Sequence, residues 1–204
     1  MFIGADPWHN SRMSEPETLP LFPLHSVLVP GAALGLRIFE PRYLDLVRDC
    51  GRSGGSFGIC LILDGEEAGA PASPAAYGTE ALIEDFDRGA DGLLSLRVRG
   101  ARRFRVCSTR VRDNGLVVAG IAWQDDDPRV ALLPEHALLA ELLRRILEHA
   151  GAAVSAVPKA RFDDAGWVGW RLAELLPLED AQRQALLQEA DPHRRLQRLL
   201  EFVS

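Results

Sequence analysis

Up to about residue 124 the apolar positions recur in twos or in short unbroken runs, and beyond residue 134 they recur in threes and fours. Leu34, Leu36 and Ile38 alternate with Gly35 and Arg37, which marks a half-buried strand. Leu94, Leu96 and Val98 alternate with Ser95, Arg97 and Arg99, and Phe104 and Val106 alternate with Arg103 and Arg105. Phe57 to Leu63 is continuously apolar, the pattern of a central strand buried on both faces. Leu19 to Leu24 contains Pro20 and Pro23, which suits an edge strand because proline cannot donate to a ladder. Val27-Leu28-Val29 runs into Pro30-Gly31, a turn pair. Tyr77 to Phe86 is strand-like, and Gly89-Ala90-Asp91-Gly92 turns the chain. Asp113-Asn114-Gly115 predicts a tight hairpin returning through Leu116 to Trp123, since Asn-Gly tolerates positive φ angles.

One helix interrupts this strand pattern. Glu40-Pro41 opens it, because proline fits the first helical position. Tyr43, Leu44, Val47 and Cys50 form its apolar stripe, and the glycines from Gly51 to Gly55 end it. Asp64 to Ala76 reads as a surface loop.

After Asp125-Asp126-Asp127-Pro128 the period lengthens to that of helices. Leu138, Leu139, Leu142, Leu143, Ile146 and Leu147 give one apolar face, closed by Gly151. Asp163 or Asp164 caps a helix carrying Trp167, Val168, Leu172, Leu175 and Leu176, and Pro177 stops it. A short helix follows near Ala181 to Glu189. Asp191-Pro192 starts the last one, striped by Leu196, Leu199, Leu200 and Val203. The class expected is α+β: a small, mostly antiparallel β-barrel with one early helix, then a C-terminal α-helical bundle. The division expected is an N-terminal extension at 1–17, the barrel at 18–128 and the bundle at 129–204.

Composition changes this picture little. The chain has 204 residues, 47% hydrophobic and 25% charged, enough for a packed core without a metal or disulfide staple. Its net charge of -6 opposes general binding to phosphate backbones. Cys50, Cys60 and Cys107 are an odd, unpaired set, which suggests reduced thiols and a cytoplasmic protein. No apolar run is long enough to span a bilayer, and Met1 to Arg12 does not read as a secretory signal. Met13 is an alternative translation start to Met1.

Catalytic patterns are scarce. Gly51-Arg52-Ser53-Gly54-Gly55 fits G-x-S-x-G, but that elbow needs a strand before the serine and a helix after it. Here a helix precedes and a strand follows, so a glycine helix stop is the better account. The sole lysine, Lys159, sits in Pro158-Lys159-Ala160, and no phosphate-cradling G-x-x-x-x-G-K-[ST] loop exists. His9, His25, His136, His149 and His193 show no metal-ligand spacing. Arg97, Arg99, Arg102, Arg103, Arg105, Arg110 and Arg112 crowd two strand-like segments. If one face displayed Arg97, Arg99, Arg103 and Arg105, it would suit RNA phosphate or another anion. The alternative is a solvated face balanced by Glu84, Asp85 and Asp87. Phe39, Arg42 and Tyr43 are candidates for a partner-binding surface, against simple packing of Tyr43 on the sheet. Trp123, Trp167 and Trp170 read as core or interdomain anchors.

Several of these segments, in this order, resemble the N-terminal substrate-binding domain of Lon proteases and its standalone relatives. They are Leu19-Pro20-Leu21-Phe22-Pro23-Leu24 with Pro30-Gly31, Phe39-Glu40-Pro41-Arg42-Tyr43, Gly78-Thr79 with Ala81 and Ile83, and Val98, Gly100, Arg103 and Phe104. Trp167 to Pro177 and Asp191 to Leu200 resemble that family's closing helices, so the similarity runs from about Leu19 to about Val203. The resemblance implies a PUA-like barrel and a helical bundle. It also implies a non-catalytic peptide- or protein-binding module without ATPase or protease parts and without a cofactor. Its partners would be unfolded or extended polypeptide segments, or a protease, held in an apolar groove between barrel and bundle. The alternative it leaves is an RNA-binding PUA-like module using the strands from Arg97 to Arg112.

Overall fold

The computed structural model describes residues 17–89, 92–151 and 157–203. Residues 1–16 of the expected N-terminal extension, with Met1, His9 and Met13, and Ala90 and Asp91 of the expected turn lie outside them, whereas Glu17 belongs to the first strand. The strands are β1 (Glu17–Leu24), β2 (Ala33–Ile38), β3 (Phe57–Asp64), β4 (Ser73–Arg88), β5 (Leu94–Val111) and β6 (Val117–Trp123). Helix α1 (Pro41–Ser53) lies between β2 and β3. After β6 come α2 (Ala137–His149), α3 (Lys159–Phe162), α4 (Ala165–Leu175), α5 (Asp180–Gln188) and α6 (Pro192–Val203).

The six strands form one sheet in the order β2-β5-β4-β3-β1-β6, with β5 also pairing β6. The sheet is mostly antiparallel, as expected, and departs from a clean barrel in two respects. First, β1 and β3 run parallel, because α1 carries the chain back to the same end between them. Second, β2 stands outside the other pairings and, among the strands, pairs with β5 alone. Strand β5 makes this possible by its length of 18 residues: its first part pairs β2 and β4, and its last part pairs β6.

The edge position expected for Leu19 to Leu24 is also corrected. β1 lies between β6 and β3. Residues 17–20 pair with β6 and residues 21–24 with β3, so each stretch has one unpaired side. Pro20 and Pro23 thus fit an interior strand, because a missing N–H is harmless on an unpaired side. As the apolar run implies, β3 is central, and Phe57 to Ile62 are buried.

The hairpin after β5 forms, with Gly115 donating to the Arg112 carbonyl at 2.8 Å. Only Gly115 has positive φ (83°); Asn114 instead uses its side chain, accepting from the Leu116 N–H at 3.1 Å. Asp164 caps α4 as expected, accepting from the Gly166 and Trp167 amides. Asp191 likewise accepts from the His193 and Arg194 amides at the start of α6.

One apolar core joins the sheet to the helices: Phe57, Ile59 and Val98 of the sheet share it with Leu143, Leu172, Leu186 and Leu196. A smaller cluster lies on β1, β3, β5 and β6, centred on Phe104. Gly58 and Gly78 make room for that ring, since a Cβ on either would sit 2.5 to 2.6 Å from its Cζ. Leu138, expected on the buried face of α2, is 78% exposed, while Leu139 and Leu143 are buried.

Candidate functional site

Helix α1 begins at Pro41 and turns its Tyr43, Leu46 and Cys50 into the core. Tyr43 stacks on Phe22 at 4.0 Å between ring centroids. Because the helix rests on the sheet by one stripe, a groove opens on either side of it.

The larger groove, about 660 Å³, lies between α1 and the far ends of β4 and β5. Leu44 and Val47 form its helical wall, and Leu82, Ile83, Phe86 and Leu94 form the sheet side. This volume is in the range of sites that bind small molecules or a few side chains. Phe86 is 72% exposed and Leu82 46% exposed. Such large apolar side chains, gathered around one groove, are the usual mark of an interaction site. Cys50 also lines the groove, but burial first, and Asp49 second, raise its pKa, so it remains a thiol.

A second groove, about 400 Å³, runs along β2. Phe22, Leu24, Leu34, Leu36, Phe39 and Tyr43 line it, with Glu40 and Glu67. Here the structure places two of the three expected partner-binding residues. Phe39 is exposed at 59% and Tyr43 is buried against Phe22. Arg42 points elsewhere: it is buried, donates to the carbonyls of Gly115 and Glu67, and pairs with Glu40 at 3.0 Å. It is a strut between α1, the hairpin and the loop after β3.

The four candidate anion-binding arginines do not form one surface. Arg97 and Arg99 both face Glu84. The hydrogen bond from Arg99 is the main reason the Glu84 carboxyl is held below its usual range. Arg105 is exposed. Arg103 is buried at the junction between sheet and helices.

A client-binding groove was expected at that junction; around Asp127 it is filled, and a hollow of only about 180 Å³ remains between the β1–β2 segment and the helices, at Glu174 and Arg183. Arg103 of β5 and Arg195 of α6 share the Asp127 carboxylate, at 3.0 Å and 2.5 Å. Arg103 also donates to the carbonyls of Leu187 and Glu189, and Arg195 to that of Glu189. The Arg195 guanidinium lies 3.5 Å from the centroid of the Trp170 ring, a cation–π stack. Two buried cations on one carboxylate leave an excess charge, and the carbonyl oxygens meet it.

The serine of the G-x-S-x-G match sits at the helix end expected there. Ser53 Oγ donates to the Asp49 carbonyl at 2.8 Å and accepts from the Gly55 N–H at 3.2 Å, closing the end of α1. Among the described residues no cluster of three or more His, Cys, Asp or Glu side chains could hold a metal ion. No helix among them is long and apolar enough to cross a membrane.

Sequence reasoning missed Leu82, Phe86 and Leu94 as site residues. A usable signal was present: Phe86 is a lone aromatic among Glu84, Asp85, Asp87 and Arg88, and a ring surrounded by charges in a strand is poorly placed for a core.

Comparison with known proteins bears on the site. The family model of the ATP-dependent protease La (Lon) substrate-binding domain matches residues 18–204. Among solved structures, the chain is 61% identical to a Lon N-terminal domain protein from Xanthomonas campestris, with a TM-score of 0.79. That match covers 91% of this chain and 98% of the other. The N-terminal domain of a Mycobacterium avium complex Lon protease is 17% identical, with a TM-score of 0.67, covering 91% and 97%. At that identity the likeness speaks for the fold alone.

Proposed function

The chain belongs to the family of Lon protease substrate-binding domains, and we propose that it is a non-catalytic module that binds extended or unfolded polypeptide in the groove between α1 and β4–β5. The observation that carries this reading is the exposed apolar rim of that groove, Leu82 and Phe86, over an apolar floor of Ile83 and Leu94. Such a rim has no role in folding that would justify its exposure, and it suits apolar side chains that a folded protein would hide. Residues 18–128 act as the PUA-like barrel that carries the groove, and residues 129–204 as the bundle that braces it. The three free thiols fit a reducing compartment, the cytoplasm.

The RNA-binding alternative loses its basis in Arg97, Arg99 and Arg103, whose charges are already met by Glu84 and Asp127. The test is binding of a fluorescently labelled, permanently unfolded polypeptide followed by anisotropy. Removing two apolar contacts worth about 1.5–3 kcal/mol each when buried should weaken it more than ten-fold in the Leu82→Ser/Phe86→Ser variant. That variant should keep the wild-type circular dichroism. Unchanged affinity would move the site elsewhere, and no binding by the wild type would end the reading.

A further inference from the structure

Along α1 the stripe that faces the larger groove runs Leu44, Val47 and then Gly51. Position 51 is one helical turn beyond Val47, so helical geometry calls for a side chain there that points into the groove. The chain supplies none. A Cβ on Gly51 would meet nothing within 4 Å, so close packing does not require glycine. Nor does backbone conformation: Gly51 is within the helix and has no positive φ, unlike Gly54, which closes α1 at φ 65°. Glycine is among the poorest helix formers, so its presence here weakens α1 and leaves one wall of the groove bare.

On the sheet side, Phe86 belongs to two depressions at once. It borders the apolar groove, and it also borders a shallow hollow lined by Asp85, Asp87, Ser95 and Arg97. One oxygen of each aspartate accepts the next backbone N–H, Phe86 at 2.9 Å and Arg88 at 2.7 Å. Neither carboxylate has an ion-pair partner among the described residues, whereas Arg97 is turned to Glu84 at 3.7 Å. The Phe86 ring therefore separates an apolar space from two carboxylates.

We infer that this double site selects an extended segment carrying a bulky apolar side chain within two residues of a lysine or arginine. The apolar side chain lies against the bare wall at Gly51, and the cation reaches over the face of Phe86 to Asp85 and Asp87. Residues i and i+2 of an extended segment face the same side, about 7 Å apart, which lets one strand straddle a single ring. The cation gains from the ring as well as from the carboxylates, and the chain's net charge of -6 favours its approach. This rests on the reading of the groove as a polypeptide site and adds the chemistry of what it accepts.

The test uses the whole chain and three labelled twelve-residue peptides of Gly, Ser and Ala, read by fluorescence anisotropy. One carries Phe-Ser-Lys at its centre, one Phe-Ser-Glu and one Ser-Ser-Lys. The wild type is expected to bind Phe-Ser-Lys at least ten-fold more tightly than either of the others, with the gap to Phe-Ser-Glu narrowing in high salt. Asp85→Asn/Asp87→Asn should erase the preference for Lys over Glu and leave the Phe peptides bound. Gly51→Leu should weaken Phe-Ser-Lys at least ten-fold while the melting temperature stays or rises, since leucine is the better helix former. Equal affinity for the Lys and Glu peptides, or Gly51→Leu binding like the wild type, would overturn the inference. Equal binding of both Phe peptides would leave the broader function standing, whereas no binding of any peptide would end both.

Discussion

The junction of sheet and helices and the groove beside α1 are both seams between a helix and the sheet, yet they are built in opposite ways. Where β5 meets α6, long side chains with paired charges fill the junction: Arg103, Arg195, Asp127 and the Trp170 ring interlock, and Arg195 is fully buried. Beside α1 the side chains stop short. Val47 gives way to Gly51, and Leu82 and Phe86 stand in solvent. A seam that must stay closed is charged and satisfied, because breaking one partner there strands the other in a low-dielectric interior. A seam that must open to a visitor is apolar and incomplete, because apolar surface can be covered and uncovered without leaving a charge unpaired. With the function proposed above, the contrast puts stability in the first and binding in the second.

Substitutions can break or sharpen that contrast. The largest effect is expected at Asp127. Changing it to Ala removes the one carboxylate between two buried guanidiniums and should cost about 3–5 kcal/mol. For a chain of this size that lowers the melting temperature by roughly 6–20 °C, measurable by calorimetry or thermal circular dichroism. Peptide affinity should be unchanged at a temperature where the variant is folded.

A smaller loss, about 1 kcal/mol, is expected for Asp164→Ala, which frees the amides of Gly166 and Trp167 at the start of α4. Urea titration should show a lower midpoint with the same slope.

Next comes a pH effect at the base of the bundle. His136, buried before α2, stacks on His193 of α6 at 5.9 Å, and neither of its ring nitrogens has a partner. Burial chiefly lowers its pKa from 6.5; neighbouring His193 lowers it further and Glu135 raises it. The unfolded chain then binds a proton more readily than the folded one. The neutral imidazole's contribution to stability is present above about pH 6.5 and is lost as pH falls through the lower folded value. His136→Phe should flatten that part of the stability profile between pH 7.5 and 5, and an unchanged slope would exclude His136 as its source.

The smallest change in stability belongs to the groove. Phe86→Ser should shift unfolding by no more than about 0.5 kcal/mol, as expected for an exposed position, while weakening polypeptide binding. A large loss of stability would show that Phe86 packs into the fold after all.

Much of the fold was legible along the chain because local patterns carry it. The alternation in β2 and β5, the apolar run of β3, Pro41 at the start of α1, Asp164 and Asp191 as caps, and Gly115 in the hairpin all act within a few residues of where they stand. The larger groove was not legible, and none of the residues expected to bind a partner lines it; the smaller groove along β2 was legible in part. Phe39 and Tyr43 do line a groove, but Arg42 does not, since its partners Gly115 and Glu67 lie far along the sequence. Arg97 and Arg103 look alike in the strand pattern and end in opposite environments, one at the exposed face with Glu84 and one buried under the helices.

The sequence alone thus determined most of the strands and helices, several of their ends, and which family the chain resembles, because those features depend on periodicity, turn residues and motif order. It missed that β4 starts at Ser73, inside the expected loop, and that α3 forms. Only the tertiary structure decided that β1 runs parallel to β3 inside the sheet, that Arg103 is buried as a strut between sheet and helices, and that the larger groove lies beside α1. Those outcomes depend on residues dozens of positions apart meeting in space, and no local pattern records which partner a buried charge or an unfilled helix face will find.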